Sequence, residues 1–235
     1  FCIHQRDYSH QLILIKVNIM NNFNRFSGKV AFIQGGSRGI GAAIVERLAL
    51  EGASVAFTFV SSHEKAKALA ENLTSQGSKK VIAIKADSTK PEDIRNAISE
   101  TIEQLGQIDI VVNNSGTLIW DSIENLTMDD WDKTINTNVR SVFVAIHEAA
   151  KHMNNNGRII NISSTNAQRI PFAGGSIYGM SKSALTGLVK GLSRDLGSRG
   201  ITVNNILPGP VDTDLNPDNG DTSEPVKAIG ALGRY

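Results

Sequence analysis

Phe32-Ile33-Gln34-Gly35-Gly36-Ser37-Arg38-Gly39-Ile40-Gly41 is the stretch on which the reading of the whole chain turns. An apolar run over 29–33 precedes it and reads as a buried strand. Behind it, Ile40, Ile44, Val45, Leu48 and Ala49 recur at helical spacing, and Gly52 closes the segment. Strand, glycine turn and helix in that order form a phosphate cradle, because glycines let the backbone turn tightly and approach a pyrophosphate. The helix N-terminus supplies unpaired N–H groups and a positive dipole. Glycines placed for steric reasons alone would not need both flanking elements, so the motif points to a nucleotide.

Working outward, strand-like and helix-like segments alternate without an internal repeat or a low-complexity linker. Strands are expected over 29–33, 54–60, 80–85, 109–114, 158–163 and 201–207. A helix over 62–76 follows the second strand, and another opens near Pro91, behind hydroxyls and beside first-turn acids. Thr127 with Asp130 resembles a capping arrangement for one long helix through 152, and a last helix is expected over 176–198. Six strands joined by crossover helices make a doubly wound parallel sheet, an α/β fold whose ligand crevice lies beyond the strands' carboxyl ends. Gly35 to Gly41, Asp87, Asn113-Asn114-Ser115-Gly116, Ser163-Ser164 and Pro208-Gly209 all fall at that edge.

Composition narrows the classes. The chain has 235 residues and a net charge of +1, with no basic stripe that would suit nucleic acid. One cysteine, Cys2, excludes disulfides and thiolate metal sites and suits a reducing, cytoplasmic setting. The histidines are scattered; His147 and His152 are expected on one helix without a ligand set, so no metal is expected. Residues 1–25 read as a leader, either non-native or translated upstream of Met20, with an extra strand as the alternative. Residues 11–19 are too short for a membrane span and lack a cleavage site, so no membrane role is expected.

Tyr178 and Lys182 lie four residues apart in Ser-Ile-Tyr-Gly-Met-Ser-Lys, on one face of a helix. An ammonium beside a phenol favours the phenolate, which would lower a pKa that is otherwise about 10. Alone the pair is an aromatic and a solvated charge; the glycine turn and the clustering at one sheet edge give it a chemical meaning.

These motifs together resemble the short-chain dehydrogenase/reductase family, over essentially all of 26–235, and most broadly its oxoacyl-carrier-protein reductases. The resemblance implies a single Rossmann-type three-layer αβα domain that stops before the family's last strand, hence a fragment with an exposed edge and poor solubility. It places a catalytic tetrad on Asn138, Ser164, Tyr178 and Lys182. Tyr178 would exchange a proton with the substrate oxygen, Lys182 would tune it and bind the nicotinamide ribose, and Ser164 would hold the substrate oxygen. Asn138 would hold a water in a proton relay. Ser163 is the rival for the serine role; strand alternation sends it to the other side. Cofactor contacts are expected at Gly35, Ser37, Arg38, Gly39, Ile40, Gly41, Ser61, Ser62, Asp87, Ser88, Asn114, Ser115, Gly116, Pro208, Gly209, Val211 and Thr213, besides Tyr178 and Lys182.

The second strand ends near Phe59 and Val60 without the carboxylate that grips a ribose diol, while Arg38 with Ser61 or Ser62 suits a 2′-phosphate. NADP(H) is therefore expected over NAD(H), and reduction of a carbonyl over oxidation of an alcohol. Ketones, 3-oxoacyl thioesters included, would suit apolar walls from Thr117, Leu118, Ile119, Trp120, Ile170, Pro171 and Phe172. A homodimer or homotetramer is expected. The alternative reading is a nucleotide-binding regulator that keeps the fold and turns nothing over. Two departures stand out: Gln34 replaces the usual threonine, and Ser164 to Tyr178 spans one residue more than the commonest spacing.

Overall fold

The structure is a computed structural model and describes residues 24–235. Six parallel strands form one sheet in the order β3-β2-β1-β4-β5-β6, the doubly wound order in which the crossover reverses between β1 and β4. They are β1 (Val30–Gln34), β2 (Ser54–Phe59), β3 (Val81–Lys85), β4 (Ile108–Asn113), β5 (Met153–Ile162) and β6 (Thr202–Ile206). The helices between them are α1 (Gly39–Leu50), α2 (His63–Ser75), α3 (Pro91–Leu105), α4 (Met128–Ile135), α5 (Ser141–Ala150) and α6 (Ser176–Asp195), with a short α7 (Ser223–Ile229) after β6. Most of the leader expected over 1–25 lies outside the described residues. Arg25, at its end, belongs to the folded unit, since its guanidinium grips the buried Glu51 carboxylate beside Arg47.

Strand alternation divides the core into two layers. Phe32, Val111, Ile159 and Val203 face one way, onto α3, α5 and α6. Ala31, Ile33, Ile110, Val112 and Ile162 face the other, onto Val45 of α1 and Leu73 of α2. Burial of each large side chain contributes about 1.5–3 kcal/mol, and both layers are needed to cover a parallel sheet.

Three expectations are revised. The long helix expected over 127–152 does begin at a Thr127–Asp130 capping box, but it is α4, a five-residue π turn (Asn136–Arg140) and α5 in succession. It ends at Ala150, which leaves His147 on α5 and His152 in the following turn. β5 starts five residues earlier than expected, because the polar Met153–Asn156 stretch joins β4 through an irregular pairing at Ile108.

Gln34 also finds an explanation. It lies in register with Asn113, which faces Asn161, which faces Asn205. Asn113 donates to Asn161 at 2.8 Å and Asn161 to Asn205 at 3.0 Å. A row of amides on one face thus caps the apolar layer at the ends of β1, β4, β5 and β6. Gln34 donates across to Ser88 at 3.5 Å, tying the row to the loop after β3.

Asp109 holds the opposite end of the sheet. Its buried carboxylate accepts from Val30 N–H at 2.9 Å and Gln107 at 2.8 Å, and from Lys29 and Asn154, both at 3.2 Å. Burial opposes its ionisation, but the bonds from Val30, Asn154 and Lys29 outweigh that and hold its pKa below the usual range. A depressed folded pKa contributes stability that is complete above the unfolded value of about 3.9 and lost as pH falls through the folded one. We expect Asp109→Asn to cost about 1–3 kcal/mol at neutral pH in urea unfolding. The deficit should shrink in acid; an undiminished deficit there would refute this role.

Candidate active site

The cleft floor is built by the glycine turn after β1. Gly35, at φ +75°, sits so close to Ser115 that an added Cβ would lie 2.6 Å from the Ser115 Oγ. Its N–H is held by Thr58 Oγ1 at 2.9 Å, and its carbonyl accepts from the Asn114 amide at 2.7 Å. A Cβ on Gly41 would collide with that same carbonyl, so the first turn of α1 can approach the strand end only as glycine. Neither an N-cap side chain nor a first-turn acid covers the N-terminus of α1, which leaves its dipole and N–H groups for an anion. The cleft above has a volume of about 390 Å³.

Across the cleft stands α6. Tyr178 and Lys182 both line it, with Lys182 Nζ 5.9 Å from the centre of the phenol ring. The amine is buried and donates to the Ile162 carbonyl at 3.0 Å, at the end of β5. Burial lowers its pKa from the usual 10.5 to about 8. Burial also raises the Tyr178 pKa, against the pull of the Ser164 hydroxyl, which favours the phenolate. The expectation of an acidified phenol is thus reversed in the free protein: spacing brings the amine near, but desolvation dominates.

The two serines separate cleanly. Ser163 Oγ donates to the Lys182 carbonyl at 3.0 Å and is spent on holding α6 to β5. Ser164 acts on Tyr178, and its Oγ accepts from Asn166 N–H at 3.1 Å, which starts a single 3₁₀ turn.

Asn138 sits inside the π turn, where i→i+5 bonding marks a local departure from the α ladder. Its Oδ1 accepts from Thr117 N–H at 2.8 Å, while its Nδ2 donates to the Thr117 carbonyl and to Ser181 Oγ, each at 3.0 Å. Ser181 in turn donates to the Tyr178 carbonyl at 2.7 Å. The Asn138 side chain thus fixes the loop after β4 to α6. Gly116 keeps open the space between Lys182 and Asn138: an added Cβ would lie 3.4 Å from Nζ and 3.5 Å from Oδ1.

Comparison with known proteins settles the lineage. Residues 29–224 match the sequence profile of the short-chain dehydrogenases. The chain belongs to the short-chain dehydrogenase family. It is 56% identical to a short-chain dehydrogenase/reductase from Serratia marcescens, with a TM-score of 0.87 over 89% of this chain and 85% of that one. A short-chain dehydrogenase from Burkholderia cenocepacia, solved in complex with NADP, is 47% identical with a TM-score of 0.88, covering 90% and 86%. The cyclic-di-GMP-binding biofilm dispersal mediator protein of Escherichia coli K12 is 41% identical over 89% of this chain and 84% of its own length.

Of the short-chain dehydrogenase residues expected here, Gly35, Ser37, Arg38, Gly39 and Ile40 line the cleft, as do Ser61, Ser62, Asp87 and Ser88. So do Asn114, Ser115, Gly116, Tyr178, Lys182 and Thr213. Gly41 does not; it lies behind the turn as a packing necessity. Pro208, Gly209 and Val211 also lie off the lining: the Pro208 carbonyl accepts from Thr165 N–H, and Val211 stands half exposed. The catalytic candidates Ser164 and Asn138 flank Tyr178 and Lys182 rather than line the cleft. Thr117, expected as a substrate wall, lines it too, and Thr58, Thr137 and Lys133 line it unforeseen. Thr58 had a signal, as the one hydroxyl near the end of an apolar strand. Among the described residues no group of three or more His, Cys, Asp or Glu could hold a metal ion, and no helix is long and apolar enough to cross a membrane.

The lysine assignment is open to direct titration. With ε-labelled lysine, NMR should show one amine titrating near pH 8. Lys182→Arg should remove that signal. Ordinary titration of every lysine would contradict the burial argument.

Proposed function

We propose that the chain is an NADP(H)-dependent oxidoreductase that reduces the carbonyl of a small ketone to an alcohol. The observation that carries this is the shared cleft: a phenol and a buried amine in one wall, and an uncapped helix N-terminus behind a glycine turn in another. The cleft residues fit a dinucleotide. Gly35 and Gly41 let the uncapped first turn of α1 close onto the end of β1, where a pyrophosphate would meet its N–H groups, and Asp87 and Ser88 also line the cleft. Arg38, Ser61 and Ser62 line the same cleft, and β2 ends at Phe59, followed by Val60, without a carboxylate, which supports a 2′-phosphate. The Burkholderia cenocepacia relative, solved with NADP, supports the same choice.

When bound, NADPH supplies the hydride. The chain's own residues handle the proton and the pose. Burial keeps Tyr178 fully protonated at neutral pH, the form that donates a proton to a carbonyl oxygen. Ser164, beside it, would hydrogen-bond that oxygen and the phenolate left behind. Lys182, charged below about pH 8, would stabilise the phenolate by its field. A water held between Asn138 and Lys182, in the space kept by Gly116, would pass protons toward Lys182. The exposed apolar side chains Leu118, Ile170 and Phe172 support a substrate class of ketones on apolar bodies, 3-oxoacyl thioesters among them.

A second reading, a nucleotide-binding regulator, draws on the Escherichia coli relative, which is described as a binder and mediator. NADPH consumption with a panel of carbonyl compounds separates the two: turnover supports the enzyme, tight binding with no turnover the regulator. Reduction should slow as pH rises through about 8, because Lys182 then loses the charge that receives the developing phenolate. A rate unchanged across that range would count against the scheme. Arg38→Glu should cut kcat/KM for NADPH by about tenfold or more while sparing NADH, given what one charge-assisted phosphate contact contributes. Equal loss with both cofactors would remove Arg38 from the 2′-phosphate.

A further inference from the structure

The loop after β4 and the loop before α6 meet at Trp120. Its Nε1–H donates to the Ala173 carbonyl at 2.6 Å, and the next residue, Asp121, donates its N–H to the Gly174 carbonyl at 3.1 Å. The indole lies on two glycines. An added Cβ on Gly174, at φ +94°, would come within 2.8 Å of Trp120 Cδ1, and one on Gly175 within 2.5 Å of Cη2. Ile170 presses on the same strip, close to Gly175 and Gly179. Gly174-Gly175 thus lets an indole seat itself at the start of α6. From that seat the Trp120 ring centre is 6.3 Å from that of Tyr178, tilted by 48°.

We propose that Trp120 is a specificity-determining residue that selects carbonyl compounds conjugated to an aromatic ring. This deepens the ketone-reductase reading and rests on it. A carbonyl taking a proton from Tyr178 must place its oxygen at the phenol hydroxyl, so the group attached to the carbonyl lies alongside the neighbouring indole. An aryl ketone is flat through ring and carbonyl, and one plane satisfies both contacts. A saturated ring is puckered and forfeits the aromatic contact. Ile170 and Phe172, both partly exposed, extend the wall with apolar surface.

Acetophenone and acetylcyclohexane differ in that flatness and little in size. The test compares their kcat/KM values, with NADPH, in the full chain and in Trp120→Phe and Trp120→Leu. The aryl-to-cyclohexyl ratio should fall about three- to tenfold in Trp120→Leu and stay within about twofold in Trp120→Phe, which keeps an aromatic face but loses the bond to Ala173. An unchanged ratio in Trp120→Leu, or an equal fall in both variants, would overturn the proposal. Calorimetric titration of the two ketones in the presence of NADP⁺ reads the same wall without turnover. Aryl preference that depends on Trp120 while NADPH is never consumed would sink the reductase reading and leave the wall standing. Equal ketone affinities in the unaltered protein and Trp120→Leu would sink the wall whatever the turnover.

Discussion

The site depends on how α6 is fastened to the end of β5. Lys182 Nζ donates to the Ile162 carbonyl, and one residue along the strand Ser163 Oγ donates to the Lys182 carbonyl. These two bonds run in opposite directions between the same two segments. They bury a cation at the one place where its last polar partner is a backbone oxygen. Because the strand is locked into the sheet by its amide row, the helix inherits the sheet's rigidity and carries Tyr178 one turn earlier to the Ser164 hydroxyl.

That fastening has a cost that the site turns to use. Desolvation works against the charged form of both groups, lowering the amine and raising the phenol. The result is a protonated tyrosine next to an amine that is still mostly charged at neutral pH, a pairing ready to give a proton away. Asn138 and Ser181 brace the other side of the helix, and the π turn lets Asn138 reach Thr117 and Ser181 together. Trp120 braces the helix start.

Much of this was legible in the sequence, for identifiable reasons. The glycine turn carries its own context, and the strands announce themselves as apolar runs, so the sheet and its ligand edge followed. Alternation along β5 separated Ser163 from Ser164. The start of β5 was hidden because Met153–Asn156 has no apolar alternation. The π turn was hidden because Asn136–Arg140 carries an ordinary helical pattern, and only its hydrogen bonds differ. The sign of the Tyr178 shift was missed because spacing reports nearness, whereas burial is a property of everything packed around. Trp120 was legible as an apolar wall, but its bond to Ala173 joins two loops, where no periodicity exists to read.

The most direct test of the account is the rate of ketone reduction by Tyr178→Phe, measured beside the unaltered protein at saturating NADPH. The account requires a loss of about 10²–10⁴-fold in kcat, since the proton donor is removed. A phenylalanine variant that reduces the same ketone at the original rate would contradict it.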